Sequence, residues 1–465
     1  MALVALAVPA GLFAEPAWLG LHVWLSRYDI AVALPHHPPP RNDLEATLQD
    51  IADLKLLPEG DRSFSPEARS AFDHQADALA ARAGSPPPPA FALDVARLVA
   101  LAGNGHTTVN LVQRAARFGR APLRFAWFAE GLFIVRATPA FADLLGRRVI
   151  SIDGRPVDAA FAAVRPYFSG TEQRARAECP PLLESPPLLQ VLWPDTDGRT
   201  LSLEIETQAA DPKRRDLPVL APVLDKLAGQ PVRAIMPFFP AGDRADWVTV
   251  LDTAPQTPLA LREPERVAYS APLERNGLYV RINANGNDRN GRLVDQLAAI
   301  GDGAPAGGWR WIVLDLRFND GGDELKTAPF TRRLPDLLGD HGNLWILTDG
   351  ATFSAAIITA ARARYFAGPR AHIVGETAGD HARFWTDGGA PLVLRNSGIE
   401  ILHAYFLQDW SQGCYAPRDC HPNQYIYGVA AGDLSPEITV GWRFVDYAAG
   451  LDTLLERVRA LEALR

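Results

Sequence analysis

The chain has 465 residues, of which 48% are hydrophobic and 22% charged, with a formal net charge of -8. That length exceeds what one hydrophobic core usually serves, so roughly two to four domains are expected. The composition excludes a disordered chain, and the acidic balance offers no overall basic footprint for nucleic acid.

Residues 1–40 read as leader and linker. The stretch ALVALAVPAGLF has the length of a secretory apolar region and is followed by the small Ala14, although no basic residue precedes Arg27. Pro9, Glu15 and Pro16 argue against a stable membrane span. Export to a periplasmic or secreted location is the expectation, with a buried N-terminal segment of a cytoplasmic protein as the alternative. The linker PHHPPP follows.

Residues 41–120 are expected to form an N-terminal helical domain. From Asn42 the residues Leu44, Leu48, Ile51 and Leu54 fall near one helical face. Ser65-Pro66 has the chemistry of an N-cap and first helical residue, and a third apolar helix, Phe91 to Ala102, ends at Gly103. GNGHTTVNL comes next and places His106 between a glycine-rich turn and β-prone residues. A lone histidine is more often packed than catalytic, but a turn between a helical domain and a strand is a place where functional groups sit.

Residues 121–209 read as a compact β module. LRFAWFAEGLFIVRA turns at Glu130-Gly131 as a hairpin, and RRVISIDGRPV gives a strand into an Asp153-Gly154 turn before a helix-like run, Asp158 to Val164. Strands are expected at Leu188 to Leu192 and Thr200 to Ile205. Such a module could hold an extended peptide along a sheet edge. Residues 210–270, with short apolar runs interrupted by Pro and Asp, are a linker region whose structure the sequence does not define.

Residues 271–465 alternate strands and helices, which implies an α/β core with largely parallel strands. The apolar runs WIVLDL, LWILT and AHIVG lead into the loops RFNDGGD, DGATFS and GETAGDH, the natural place for a site in such a sheet. Tyr447 to Leu464 is expected to close the chain as an amphipathic helix. Cys414 and Cys420 bracket a loop that a disulfide could close, leaving Cys179 single; with only His421 beside them, no metal site is expected.

Ser354 stands where an apolar strand, a short Asp349-Gly350 turn and an alanine-rich helix meet. The first amides of a helix lack intrahelical acceptors and its dipole favours negative charge, so an oxyanion beside Ser354 would find donors. A plain helix cap has the same local sequence.

The ordered set GHTTV, GRRVISIDGRPV, VLDLRFNDGGD, TDGATFSAA, VGETAG and LSPEITV resembles the serine peptidase family of C-terminal-processing (tail-specific) proteases and the tricorn core protease. It is closer to the branch that also includes interphotoreceptor retinoid-binding protein modules. The resemblance implies an α/β multidomain fold with a ClpP/crotonase-like catalytic core, a PDZ-like β module and the N-terminal helical domain. It places Ser354 as nucleophile and Gly321 or Gly322, with the amide of Ala355, as the oxyanion hole.

The chain departs from the C-terminal-processing branch in one telling way: ETAGDH lacks the lysine base, and none of Lys55, Lys213, Lys226 and Lys326 replaces it. His106 is therefore the expected base, since imidazole titrates near neutral pH, with His381 as the alternative. Glu376 is the first candidate for the acid that orients it, ahead of Asp409 and Asp349, while Asp315 and Arg317 are expected to fix a strand end. Asn104 and Ile357 stand where many relatives carry acidic residues. The expected function is a serine-type endopeptidase acting on peptide or unfolded-protein substrates, without metal or cofactor and without nucleic acid; nothing in the sequence indicates an oligomeric state. A non-catalytic binding protein on the same scaffold, for a peptide or hydrophobic ligand, and an esterase are the alternatives.

Overall fold

The computed structural model describes residues 32–84, 88–207, 212–222, 234–236, 247–387, 389–416 and 419–464. The expected leader ALVALAVPAGLF lies outside these residues, as does much of the 210–270 region.

The chain is built around a six-stranded sheet whose strands are β1 (Ala268–Leu273), β2 (Gly277–Ile282), β3 (Trp309–Asp315), β4 (Leu338–Thr348), β5 (Ala371–Gly375) and β6 (Ile438–Thr439). Their spatial order is β6-β5-β4-β3-β2-β1, with β2 to β6 parallel and β1 antiparallel at one edge. The apolar runs in β3 and β4 are continuous because both faces are covered. Trp311, Val313, Trp345, Leu347 and Val374 pack on one face against Leu454, Leu455 and Val458 of the terminal helix Thr453–Ala463. Ile312, Leu314, Leu344, Ile346 and Ile373 pack on the other, against the helices Leu293–Asp302 and Ala328–Leu337 and against α1 (Ala355–Ala367).

The terminal amphipathic run divides into Phe444–Ala448 and Thr453–Ala463, because Gly450 turns the chain at φ 72° and Asp452 then caps the second helix.

In the β module the hairpin pairs Leu123–Phe128 with Gly131–Ala137, and a second sheet pairs Val149–Ile152 with Thr200–Ile205 and Lys213–Pro218. The expected strand at Leu188 to Leu192 is instead part of a helix, Pro186–Leu192. Prolines at the first helical positions set φ at no hydrogen-bonding cost, and the leucines and glutamine that follow are good helix formers.

Ahead of the module come the helices Asp43–Leu54, Pro66–Ala81 and Pro88–Ala100, the first two capped by Asn42 and Ser65. Only the second half of the first helix is buried, by Ile51 and Leu54; Leu44 and Leu48 face solvent. These helices and the module contribute to one apolar cluster that also takes in Leu392 and Ile401.

The chain leaves the third helix through a short strand, Thr108–Val109, which pairs antiparallel with Glu400–Leu402. That pairing carries the segment before it to the loops at the ends of β4 and β5. Among the described residues no helix is long and apolar enough to cross a membrane.

Candidate active site

Ser354 opens α1 with φ 53° and ψ -122°, and its side chain makes no capping hydrogen bond. A left-handed non-glycine residue in such a turn costs on the order of 1–3 kcal/mol, and the fold must over-determine it. The determinants are visible. Asp349 accepts hydrogen bonds from the Phe318 amide at 3.0 Å, the Ala351 amide at 3.0 Å and the Thr352 hydroxyl at 3.1 Å. The Phe353 amide donates to the Asn319 carbonyl at 2.9 Å, so the loops after β3 and β4 are stitched together around the serine.

The glycine loop beside it leaves no room for side chains. A Cβ on Gly321 would come within 2.6 Å of Ser354 Cβ, and one on Gly322 within 2.6 Å of the Asn285 carbonyl oxygen. Both residues also have positive φ, at 101° and 126°. The amide of Gly321 donates to Asn319 Oδ1 at 2.9 Å and is thereby engaged. Ala355, the first residue of α1, supplies an N-terminal amide with no intrahelical acceptor, and Gly322 is the neighbouring glycine of the loop.

His106 lies against this loop. Its ring stacks on Phe353, the residue before the serine, at a centroid distance of 4.3 Å, and on Phe384 at 5.0 Å. Among the described residues neither ring nitrogen has a hydrogen-bond partner, although both are buried. No hydrogen bond therefore joins His106 to Ser354 in this structure. Nδ1 lies 3.8 Å from Asp380 Oδ2, an oxygen that accepts the Gly105 amide at 2.8 Å, while Oδ1 accepts the His381 amide at 3.0 Å. Asn104 fixes the turn from below: its Oδ1 accepts from the Trp385 amide at 2.9 Å and its Nδ2 donates to the Trp385 carbonyl at 3.1 Å. Ile357 is packed with Ile358, Ala361, Phe384 and Trp410.

The acid beside His106 is thus Asp380 rather than Glu376. Glu376 lies one turn earlier in the same loop, and its carboxylate faces a cavity of about 630 Å³ together with Asp349. Burial, and secondly the Asp349 charge, push the Glu376 carboxyl up to about 7. Burial also raises Asp349 despite its hydrogen bonds. Asp409 holds a turn through the amides of Ser411 and Gln412, at 3.1 and 3.0 Å. His381 is exposed and meets the site through its backbone. Asp315 and Arg317 form a buried ionic cluster at the end of β3, in the role expected of them.

Sequence reasoning also missed Arg174. Its guanidinium lies 3.9 Å from the Phe353 ring centroid and pairs with Glu178 at 2.5 Å and with Asp320 of the glycine loop at 2.8 Å. Nothing local in its helix, Glu172–Glu178, points to this contact. Cys414 and Cys420 are joined as a disulfide, and Cys179 is free and buried.

Compared by sequence, the chain matches no family profile and no curated protein. By fold it is similar to mature CPAF complexed with lactacystin, with a TM-score of 0.55 and 12% identity over 90% of this chain and 98% of that one. The photosystem II D1 C-terminal processing protease aligns over 85% of this chain and 93% of its own, at 12% identity and a TM-score of 0.36. The tricorn protease aligns over 90% of this chain and 36% of its own, at 12% identity and a TM-score of 0.33. At these identities the likeness is one of fold, a mixed α/β architecture of several sheets.

Proposed function

We propose that the chain is a serine-type peptidase that hydrolyses peptide bonds through an acyl-enzyme on Ser354, with His106 as base and Asp380 as the group that orients it. The observation that carries this reading is the conjunction at one loop: a serine held at positive φ that does not cap its helix, beside a half-buried imidazole whose two nitrogens are covered and, among the described residues, accept or donate no hydrogen bond.

In the reaction, Ser354 Oγ attacks the scissile carbonyl while its proton passes to His106. The oxyanion draws the amides of Ala355 and Gly322. His106 then gives the proton to the leaving amine, and water repeats the sequence to release the acyl group. The ring and the serine must close up first, and hydrogen bonds of this kind commonly tighten only with substrate bound. In this reading residues 271–465 are a ClpP/crotonase-like core and 121–209 a PDZ-like module whose free sheet edge guides an extended substrate. The Cys414–Cys420 bond supports a place in an oxidising, extracytoplasmic compartment.

The test exposes wild type, Ser354→Ala and His106→Ala to a fluorophosphonate probe, to unstructured peptides and to simple esters. Labelling and peptide cleavage that vanish in both variants support the reading. Ester turnover without peptide cleavage makes the protein an esterase. An unlabelled wild type makes it a binding protein on this scaffold, a reading favoured by the absence, among the described residues, of a hydrogen bond between His106 and Ser354.

A further inference from the structure

The cavity of about 630 Å³ lies between the 123–137 hairpin and the Gly350-Ala351 turn that leads to Ser354. Its wall mixes charged residues with an aromatic portion that includes Trp127, Phe128, Trp247, Phe318 and Trp442. The charges in that wall are nearly all matched within the protein. Arg120, Arg124, Arg148, Arg176 and Arg317 each have a carboxylate within 3.9 Å. Glu130 pairs with Arg443, Asp349 is held by its loop donors, and Asp158 is exposed to solvent. Glu376 differs: among the described residues its carboxylate has neither a hydrogen bond nor an ion pair. A Cβ on Gly441 would come within 3.1 Å of Glu376 Oε1, so the small residue opposite leaves the carboxylate its space.

The Glu376 carboxylate is half-buried and keeps an open face towards the cavity, so a cation entering there would find an acceptor that no protein group has claimed. The flat aromatic wall suits the long apolar stem of such a group. We propose that this cavity is a specificity subsite that takes the cationic side chain of a peptide, arginine or lysine, with Glu376 as its counter-ion. The inference rests on the peptidase reading for the identity of the ligand as a substrate. Because Gly350 and Ala351 belong both to the cavity wall and to the turn before the serine, a side chain seated there would fix the register of the peptide at Ser354.

The experiment measures binding rather than turnover, so that it stands apart from the chemistry. Ser354→Ala protein is titrated with alanine-rich hexapeptides carrying one arginine at each position in turn, and with the same peptides carrying neutral citrulline. Tryptophan fluorescence is the signal, since Trp127, Trp247 and Trp442 line the cavity.

At one position arginine should bind roughly tenfold more tightly than citrulline at pH 8. The preference should shrink towards pH 6, since burial and Asp349 push the Glu376 carboxyl up to about 7, with Arg176 and Arg317 acting in the opposite sense, and only the ionised form attracts a cation. Adding Glu376→Gln should abolish the preference, and Glu376→Asp should keep part of it. Equal binding of the two series, or a preference that survives Glu376→Gln in folded protein, overturns the proposal. Failure of the peptidase reading shows elsewhere, as a wild type that fluorophosphonate does not label.

Discussion

Asp315, fully buried, and His106, half-buried with both ring nitrogens covered, are polar groups near the strand ends of the same sheet, and their surroundings treat them in opposite ways. Around Asp315 the charges are paired several times over: Arg281 at 2.8 Å, Arg317 at 2.5 Å and the Tyr279 hydroxyl at 2.7 Å all donate to it. Arg317 in turn grips Asp452 at 2.6 Å, and Asp452 caps the terminal helix by accepting from the Leu454 and Leu455 amides. Around His106 two aromatic faces and one carboxylate at 3.8 Å leave both ring nitrogens without partners. A carboxylate paired this fully is scaffold, whereas an imidazole with unengaged nitrogens next to a serine at positive φ is a candidate for chemistry. The comparison predicts that changes at the first place act on stability and changes at the second act on rate.

The largest effect is expected at the second place. Ser354→Ala and His106→Ala should each lower kcat on peptides by on the order of 10⁴–10⁶-fold, and the double variant should be no slower than either. Additive losses, measured by steady-state kinetics, would mean that the two residues do not act as one unit. Asp380→Asn comes next. It keeps a partner for the Gly105 amide but removes the charge facing Nδ1, and kcat should fall on the order of 10²–10⁴-fold with KM little changed. If Glu376→Gln gives the larger loss in kcat, the roles of the two acids are reversed.

At the first place the expected result is different in kind. Arg317→Met leaves Asp315 and Asp452 facing each other across a buried gap, and breaking such a pair typically costs about 3–5 kcal/mol. Denaturant unfolding reads this loss. The pH dependence has a definite sign. Burial alone would raise the Asp315 carboxyl, but Arg317 and Arg281 hold it down to about 2. A depressed carboxylate contributes its full stability above its unfolded value, near 3.9, and loses it as pH falls towards 2. Wild type should therefore lose stability across that window, and the Arg317→Met protein should lose less there.

How much of this was legible in the sequence follows from the range over which each feature is set. Ser354 could be found because strand, turn and helix are all local. The histidine base could be nominated because a glycine-rich turn before a β-prone run is also local. Glu376 and Asp380 share a loop, so the sequence does not tell which of them lies beside His106; what separates them is long-range. Gly379 packs against the Gly350 carbonyl, and the Gly105 amide reaches Asp380 from a segment 275 residues away. Asn104 looked like a departure in an acidic position, yet as an amide it both donates to and accepts from the Trp385 backbone, which a carboxylate cannot do. The mistaken strand at Leu188 to Leu192 came from reading an apolar run without weighing the prolines ahead of it.

The smallest effect is the one that joins the two kinds of site. Arg174 is buried and paired like the Asp315 cluster, but what it supports is the Phe353 ring on which His106 stacks, and its other carboxylate, Asp320, belongs to the glycine loop. Burial pushes its helix partner Glu178 up to about 7, with Arg174 acting in the opposite sense. Arg174→Lys keeps the charge but gives up the planar contact with the ring and the forked reach to two carboxylates. A cation–π contact of this kind is worth about 1–2 kcal/mol. The variant should lose about 1–2 kcal/mol in denaturant unfolding while kcat falls roughly tenfold, because the Phe353 ring and the glycine loop lose their common anchor. Arg174→Gln should lower both quantities further, since it leaves the buried Glu178 without its partner, while the exposed Asp320 turns to solvent. If the lysine variant loses stability but keeps its rate, Arg174 belongs with Asp315 as scaffold, and the boundary between the two regions runs through Phe353.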